Sequence, residues 1–168
     1  MATTIEISDS ALKEAASLGM DEFIGVFTNK YLEVIGGDLK AETMERLNGF
    51  QHSLLAYHFF REEVMEGGFV QLIQNGYGGY IFDNPFAKSM RLFGLDEFSK
   101  LIYKAKKIYD EHKEDLVKER SEEDFMAMYE QYEAFDDLEE EFLNSEEEIS
   151  STIAEYIDNH LEEFANIK

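Results

Sequence analysis

Cysteine is absent from this 168-residue chain, and proline occurs once, at Pro85. Without cysteine there is no disulfide, no thiolate metal site and no cysteine nucleophile. Proline breaks helices, so a single one fits long uninterrupted helices better than a loop-rich all-β fold. No run of about 18 apolar residues exists, so no membrane span is expected. The opening Met1-Ala2-Thr3-Thr4-Ile5-Glu6 has neither the basic nor the apolar region of a secretory signal. A cytoplasmic location is the resulting expectation. Bases are scarce too: 15 Lys and Arg face 37 Asp and Glu, for a net charge of −22.

What is present is an aromatic core. Fourteen Phe and nine Tyr exclude a disordered acidic tail as a description of the whole chain. The length suits one domain. The charge repels nucleic acid and anionic lipid, so neither direct nucleic-acid binding nor membrane binding is expected. It favours cationic partners. It is also segregated: residues 119–168 hold eighteen acids and only Arg120 and Lys168 as bases, whereas residues 1–118 hold nineteen acids and thirteen bases. Solubility alone does not require that asymmetry.

Hydrophobic spacing predicts an all-α fold, a single compact domain of six to eight helices, preceded by a flexible arm over residues 1–9. A short helix over 10–18 is expected with Ser10 as its cap. The next begins at Asp21 and stops at Gly36-Gly37. Thr43 caps a long helix to about Met65, almost wholly apolar from Ala56 to Phe60, which marks it as central. Residues 67–80 read as a glycine-punctuated connector. Pro85 opens a short helix that Gly94 stops. A helix over 96–119, capped by Asp96, shows the clearest period. Ser121 with Asp124, and Ser145 with Glu148, read as capping boxes that start two further helices. No strand is supported.

Enzyme signatures are missing. The four histidines, His52, His58, His112 and His160, occur in no HExxH or Glu-x-x-His pattern. His58 with Glu62, His112 with Asp115 and His160 with Glu163 read as hydrogen-bonded pairs on helix faces. There is no EF-hand loop, no G-x-S-x-G elbow and no phosphate-binding P-loop. No catalytic residue, metal site or cofactor is expected.

Glu66-Gly67-Gly68-Phe69-Val70-Gln71-Leu72-Ile73-Gln74-Asn75-Gly76-Tyr77-Gly78 resembles the hallmark of the bacterial DNA-mimic-protein family, with Gly67, Gly68, Phe69, Gln71, Asn75 and Gly78 at matching positions. Glu66 stands where that family usually has Asn, and Leu72-Ile73 replace an aromatic-rich pair. The acidic segment Phe135–Phe142 and the closing helix with Ile153, Tyr156, Ile157 and Phe164 are similar to the family as well. The resemblance covers about residues 44–165. It implies a helical DNA-mimic-type domain over 10–168 and, for its namesake function, occupation of the DNA site on a DNA-binding protein.

The residues support that reading in their own terms. At about 1.5 Å per helical residue, fifty residues span roughly 75 Å, or one negative charge per about 4 Å. A DNA strand carries one per about 3.4 Å. Carboxylates at i and i+4 on a helix lie about 6 Å apart, close to the phosphate spacing. The expected partner-binding residues are Glu133, Asp136, Asp137, Glu139, Glu140, Glu141, Glu146, Glu147 and Glu148, with Tyr129 and Tyr132 as amphipathic anchors at the rim. The partner would be a basic, DNA-binding protein, and a homodimer would lengthen the acidic surface. The alternatives are an inhibitor of another cationic protein, such as a nuclease toxin, and a carboxylate- or metal-dependent enzyme built on buried carboxylates and His58.

Overall fold

Helix after helix follows from the local signals of the chain. A computed structural model describes residues 3–168. It is all-α, with ten α-helices and one pair of two-residue strands among the described residues. The helices are α1 (Asp9–Leu18), α2 (Met20–Ile35), α3 (Ala41–Met44), α4 (Gly49–Gln74), α5 (Gly78–Phe82), α6 (Phe86–Leu92), α7 (Asp96–Leu116), α8 (Glu122–Gln131), α9 (Asp136–Asn159) and α10 (Leu161–Phe164). A 3-10 turn, Glu133–Phe135, leads into α9. The count exceeds six to eight because α3, α5 and α10 are only four or five residues long. That is too short for a helical period to register.

The residues divide into two compact units. The first takes the chain to Leu55 together with Glu147–Lys168. Its α1 is capped by Ser8, whose hydroxyl accepts from the Ala11 N–H at 3.1 Å; the expected cap, Ser10, lies inside the helix. Gly19, not Asp21, precedes α2, and Asp21 adds its charge to the positive first turn instead. Gly36 and Gly37 end α2 with positive φ, as their pairing suggests. Thr43 sits buried within α3 rather than capping a long helix, which starts at Gly49. Phe164 is the centre of this core. Its ring meets Phe27, Phe50 and Tyr156 edge-on, and its carbonyl accepts from Tyr31 Oη at 2.8 Å and Gln51 Nε2 at 3.0 Å.

The arm expected at residues 1–9 falls outside the described residues at Met1 and Ala2. From Thr3 onward it is tied down. β1 (Glu6–Ile7) pairs in parallel with β2 (Asn166–Ile167), Ile5 and Ile7 are buried, and the Thr3 N–H donates to Arg46 O at 2.8 Å. Two isoleucines two residues apart on one face explain the pairing, but the partner strand lies at the far end of the sequence.

The second unit is Ala56–Glu146. Here the apolar run at the end of the expected central helix is surrounded: Phe60 packs on Phe69, Phe86, Phe98 and Phe142, with ring centroids 4.9–5.9 Å apart. Four sequence expectations change. The connector over 67–80 is helical up to Gln74, with one non-helical residue, Gly68, inside it. Ser145 starts no helix, because α9 runs through it. α7 stops at Leu116 rather than near residue 119, and Asp96 lies in its first turn. Ser121 does cap α8, accepting from the Asp124 N–H at 3.1 Å.

Candidate protein-interaction surface

The Gly-Gly-Phe segment is built for close approach. Gly68 has φ 75° and ψ −171°, a combination open in practice to glycine alone. A Cβ there would overlap the Glu139 carboxylate, and one at Gly67 would overlap the side chain of Gln71. The freed Phe69 N–H donates to Glu139 Oε2 at 2.7 Å, so a side chain from α9 caps the second half of α4. Phe69 is fully buried, stacked on Phe135 with centroids 5.1 Å apart. Tyr129 of α8 donates its hydroxyl to the Gly67 carbonyl at 2.7 Å.

The polar residues of the motif converge on Glu63. Gln71 Nε2 donates to Glu63 Oε2 at 2.6 Å, and Asn75 Nδ2 donates to both carboxylate oxygens at 3.0 and 3.1 Å. These bonds tie α4 to itself across the kink. Gly78 lies against the Tyr109 ring, where a Cβ would come within 2.7 Å of Cε1. All six motif positions therefore serve the packing of α4, α5, α7, α8 and α9 within this unit.

The nine acids expected to face a partner separate into two groups. Glu133, Asp136, Asp137, Glu140, Glu141, Glu147 and Glu148 are exposed. Glu139 and Glu146 are not. Glu139 is half-buried on the Phe69 N–H; burial raises its pKa, the hydrogen bond lowers it, and the neighbouring charge of Asp136 raises it. Glu146 is buried in an ion pair with Arg61. Tyr132 is no rim anchor either, whereas Tyr129 is half-exposed. Tyr132 is buried and donates to Asp115; burial first, and then Asp115, push its pKa up to about 12. Asp115, which also holds Arg120 Nη2 at 2.8 Å and Gln131 at 3.1 Å, is lowered chiefly by the Tyr132 bond.

Within the second unit five of these seven exposed acids form a block: Glu133 on the 3-10 turn, then Asp136, Asp137, Glu140 and Glu141 on the first turns of α9. Asp136–Glu140 and Asp137–Glu141 are i,i+4 pairs, about 6 Å apart along the helix. Among the described residues no base forms an ion pair with these five. Three of the five α7 lysines are engaged elsewhere: Lys100 with Glu97, Lys106 with Asp110, and Lys113 with Asp83. In the first unit Glu147, Glu148, Glu155, Asp158 and Glu162 are exposed as well.

Residues 45–160 match the model of the DMP19-like protein family. The chain belongs to that family. A relative, the DNA mimic protein DMP19 of Neisseria meningitidis serogroup B (strain ATCC BAA-335 / MC58), is 34% identical over 127 residues, 75% of this chain and 77% of the relative. The matched span includes the kinked Gly-Gly-Phe segment and the whole of α9.

Among the described residues no three of His, Asp and Glu converge as a metal cluster. Among the described residues none of the three expected histidine–carboxylate hydrogen bonds forms: His160 Nδ1 lies 2.8 Å from Tyr156 O and His112 meets the Tyr132 ring, while His52 Nε2 lies 2.6 Å from Met44 O. His58 is half-buried, and that burial lowers its pKa against an opposing pull from Glu62. An open groove lined by Pro85, Lys88, Ser89, Arg91 and Leu92 contains no carboxylate or imidazole. Among the described residues no helix is long and apolar enough to cross a membrane.

Proposed function

We propose that this chain is a non-enzymatic DNA mimic that binds a basic DNA-binding protein and competes with its DNA. The observation that carries this reading is the block Glu133, Asp136, Asp137, Glu140 and Glu141: exposed, unpaired with bases, and held on ordered helix rather than on a tail. The name of the Neisseria relative supports the same reading. A groove lined with Lys and Arg for phosphates would accept these carboxylates. Steering would be fast at low salt and weaken as salt screens the charges. Because the acids already sit on helix, little ordering entropy is lost on binding.

The test is capture from the source lysate at low salt, followed by elution with duplex DNA. Release of one discrete basic protein by duplex DNA, and its loss when Glu140 and Glu141 are changed to Lys, is the expected outcome. A basic protein that salt releases but duplex DNA does not would overturn competition for a DNA site and point to inhibition of another cationic surface.

A further inference from the structure

The family motif and the acidic block meet at one side chain. Glu139 lies between the exposed pairs Asp136–Asp137 and Glu140–Glu141, yet it turns inward. Its Oε2 accepts the Phe69 N–H at 2.7 Å, in the space that Gly68 leaves open by having no Cβ. Two further ties reach the same three residues from the same stretch of chain. Phe135, one turn earlier, stacks on Phe69, and Tyr129 donates to the Gly67 carbonyl. Residues 67–69 are thus gripped by α8, the 3-10 turn and α9, on which the exposed acids sit.

We infer that Glu139 is a positioning residue, a hydrogen-bond acceptor that fixes the acidic turns of α9 on the Gly68 kink, and not a contact with the partner. Its functional meaning rests on the DNA-mimic reading. The mechanism is geometric. A kink leaves a donor without its intrahelical acceptor, and burial makes an unmatched N–H costly. Only an acceptor from another element resolves it, so the bond forms only when α9 is correctly placed. The glycines admit the carboxylate, the carboxylate caps the kink, and the neighbouring acids are oriented as a consequence. The groups facing Glu139 are Tyr129, from α8, and Asp136, from its own helix.

The test separates an acceptor from a charge. Glu139→Gln keeps a carbonyl oxygen for the Phe69 N–H, whereas Glu139→Ala removes it. Amide hydrogen exchange at Phe69 reads the bond directly, and loss of a charge-assisted bond should lower protection about 10- to 100-fold in E139A. Spin labels at Glu62→Cys and Asp137→Cys, in a chain with no other cysteine, read the placement of α9 against α4. The expected result is a narrow distance distribution in the parent and in E139Q, and a broadened one in E139A and in Gly68→Ala. E139A with unchanged protection and a narrow distribution would overturn the inference, as would E139Q behaving like E139A. If G68A does not fold, the two Glu139 variants still decide it. Neither readout uses the partner, so failure of DNA competition and failure of this inference are seen separately.

Discussion

Two glycines with the same φ of 75°, Gly36 and Gly68, differ in what surrounds them. Gly36 has ψ 23°, the ordinary left-handed helix stop, and a Cβ there would meet nothing within 4 Å. Gly36→Ala should cost about 1 kcal/mol, the penalty of that backbone region. Gly68 combines a glycine-only ψ with overlap on Glu139, so Gly68→Ala should cost about 3 kcal/mol or more. Urea denaturation of the two variants measures the difference, and equal losses would refute it. Glu139 supplies a pH prediction at the same scale. Burial raises its pKa, so the folded chain holds this proton more tightly than the unfolded chain does. The resulting stabilisation is complete below the unfolded value and is lost as pH rises through the folded value. Glu139→Gln avoids that loss while keeping an acceptor. Its stability relative to the parent should therefore grow between about pH 4 and about pH 7. A gap that stays flat across this range would contradict the burial described for Glu139.

At the scale of elements, α9 carries two kinds of acid that local sequence does not distinguish. Asp136, Asp137, Glu140 and Glu141 lie on its solvent side, whereas Glu146 takes a place in the buried row Leu138, Phe142, Glu146, Ile149, Ile153. Glu140→Lys with Glu141→Lys should leave stability within about 0.5 kcal/mol of the parent. Glu146→Lys would set a second positive charge beside Arg61 and should cost about 3 kcal/mol or more. Thermal melting separates the two sets, and similar losses would show that the exposed acids also hold the fold. The row was legible in principle. Its steps of three and four residues run through Ser145 without a break, which argues for one helix and places Glu146 inside. A Ser-x-x-Glu pattern suggests a start only where the phase of the apolar stripe also resets, and here it does not.

Across the whole molecule, a charge of −22 works against folding as well as for solubility. Few of the acids in residues 119–163 are matched by bases, so screening should relieve their repulsion. Raising salt from about 10 mM to about 150 mM shortens the Debye length from roughly 30 Å to roughly 8 Å. The melting temperature should rise over that range, while affinity for a cationic partner should fall. Melting that is flat or falls with salt would mean that favourable ion pairs, such as Arg61–Glu146, outweigh the repulsion. On the proposed reading, partner binding and stability should have opposite salt dependences, which gives a simple control for the capture experiment.

The sequence by itself determined the helical class, the α8 cap at Ser121, the glycine stop of α2, the central place of the Ala56–Phe60 run and the acidic excess of the last third. These depend on short-range rules: period, capping chemistry, backbone freedom and charge count. Family membership was legible too, through the spacing of Gly67, Gly68, Phe69, Gln71, Asn75 and Gly78. Only the tertiary structure decided which acids face solvent and why the motif exists. Glu139 and Glu146 turn inward because their partners, the Phe69 N–H and Arg61, lie 70 and 85 residues away along the chain. The pairing of β1 with β2 is hidden for the same reason, since it joins the two ends of the chain. A carboxylate on an exposed turn and one that caps a distant kink look alike in sequence, because what separates them is the group brought opposite by folding.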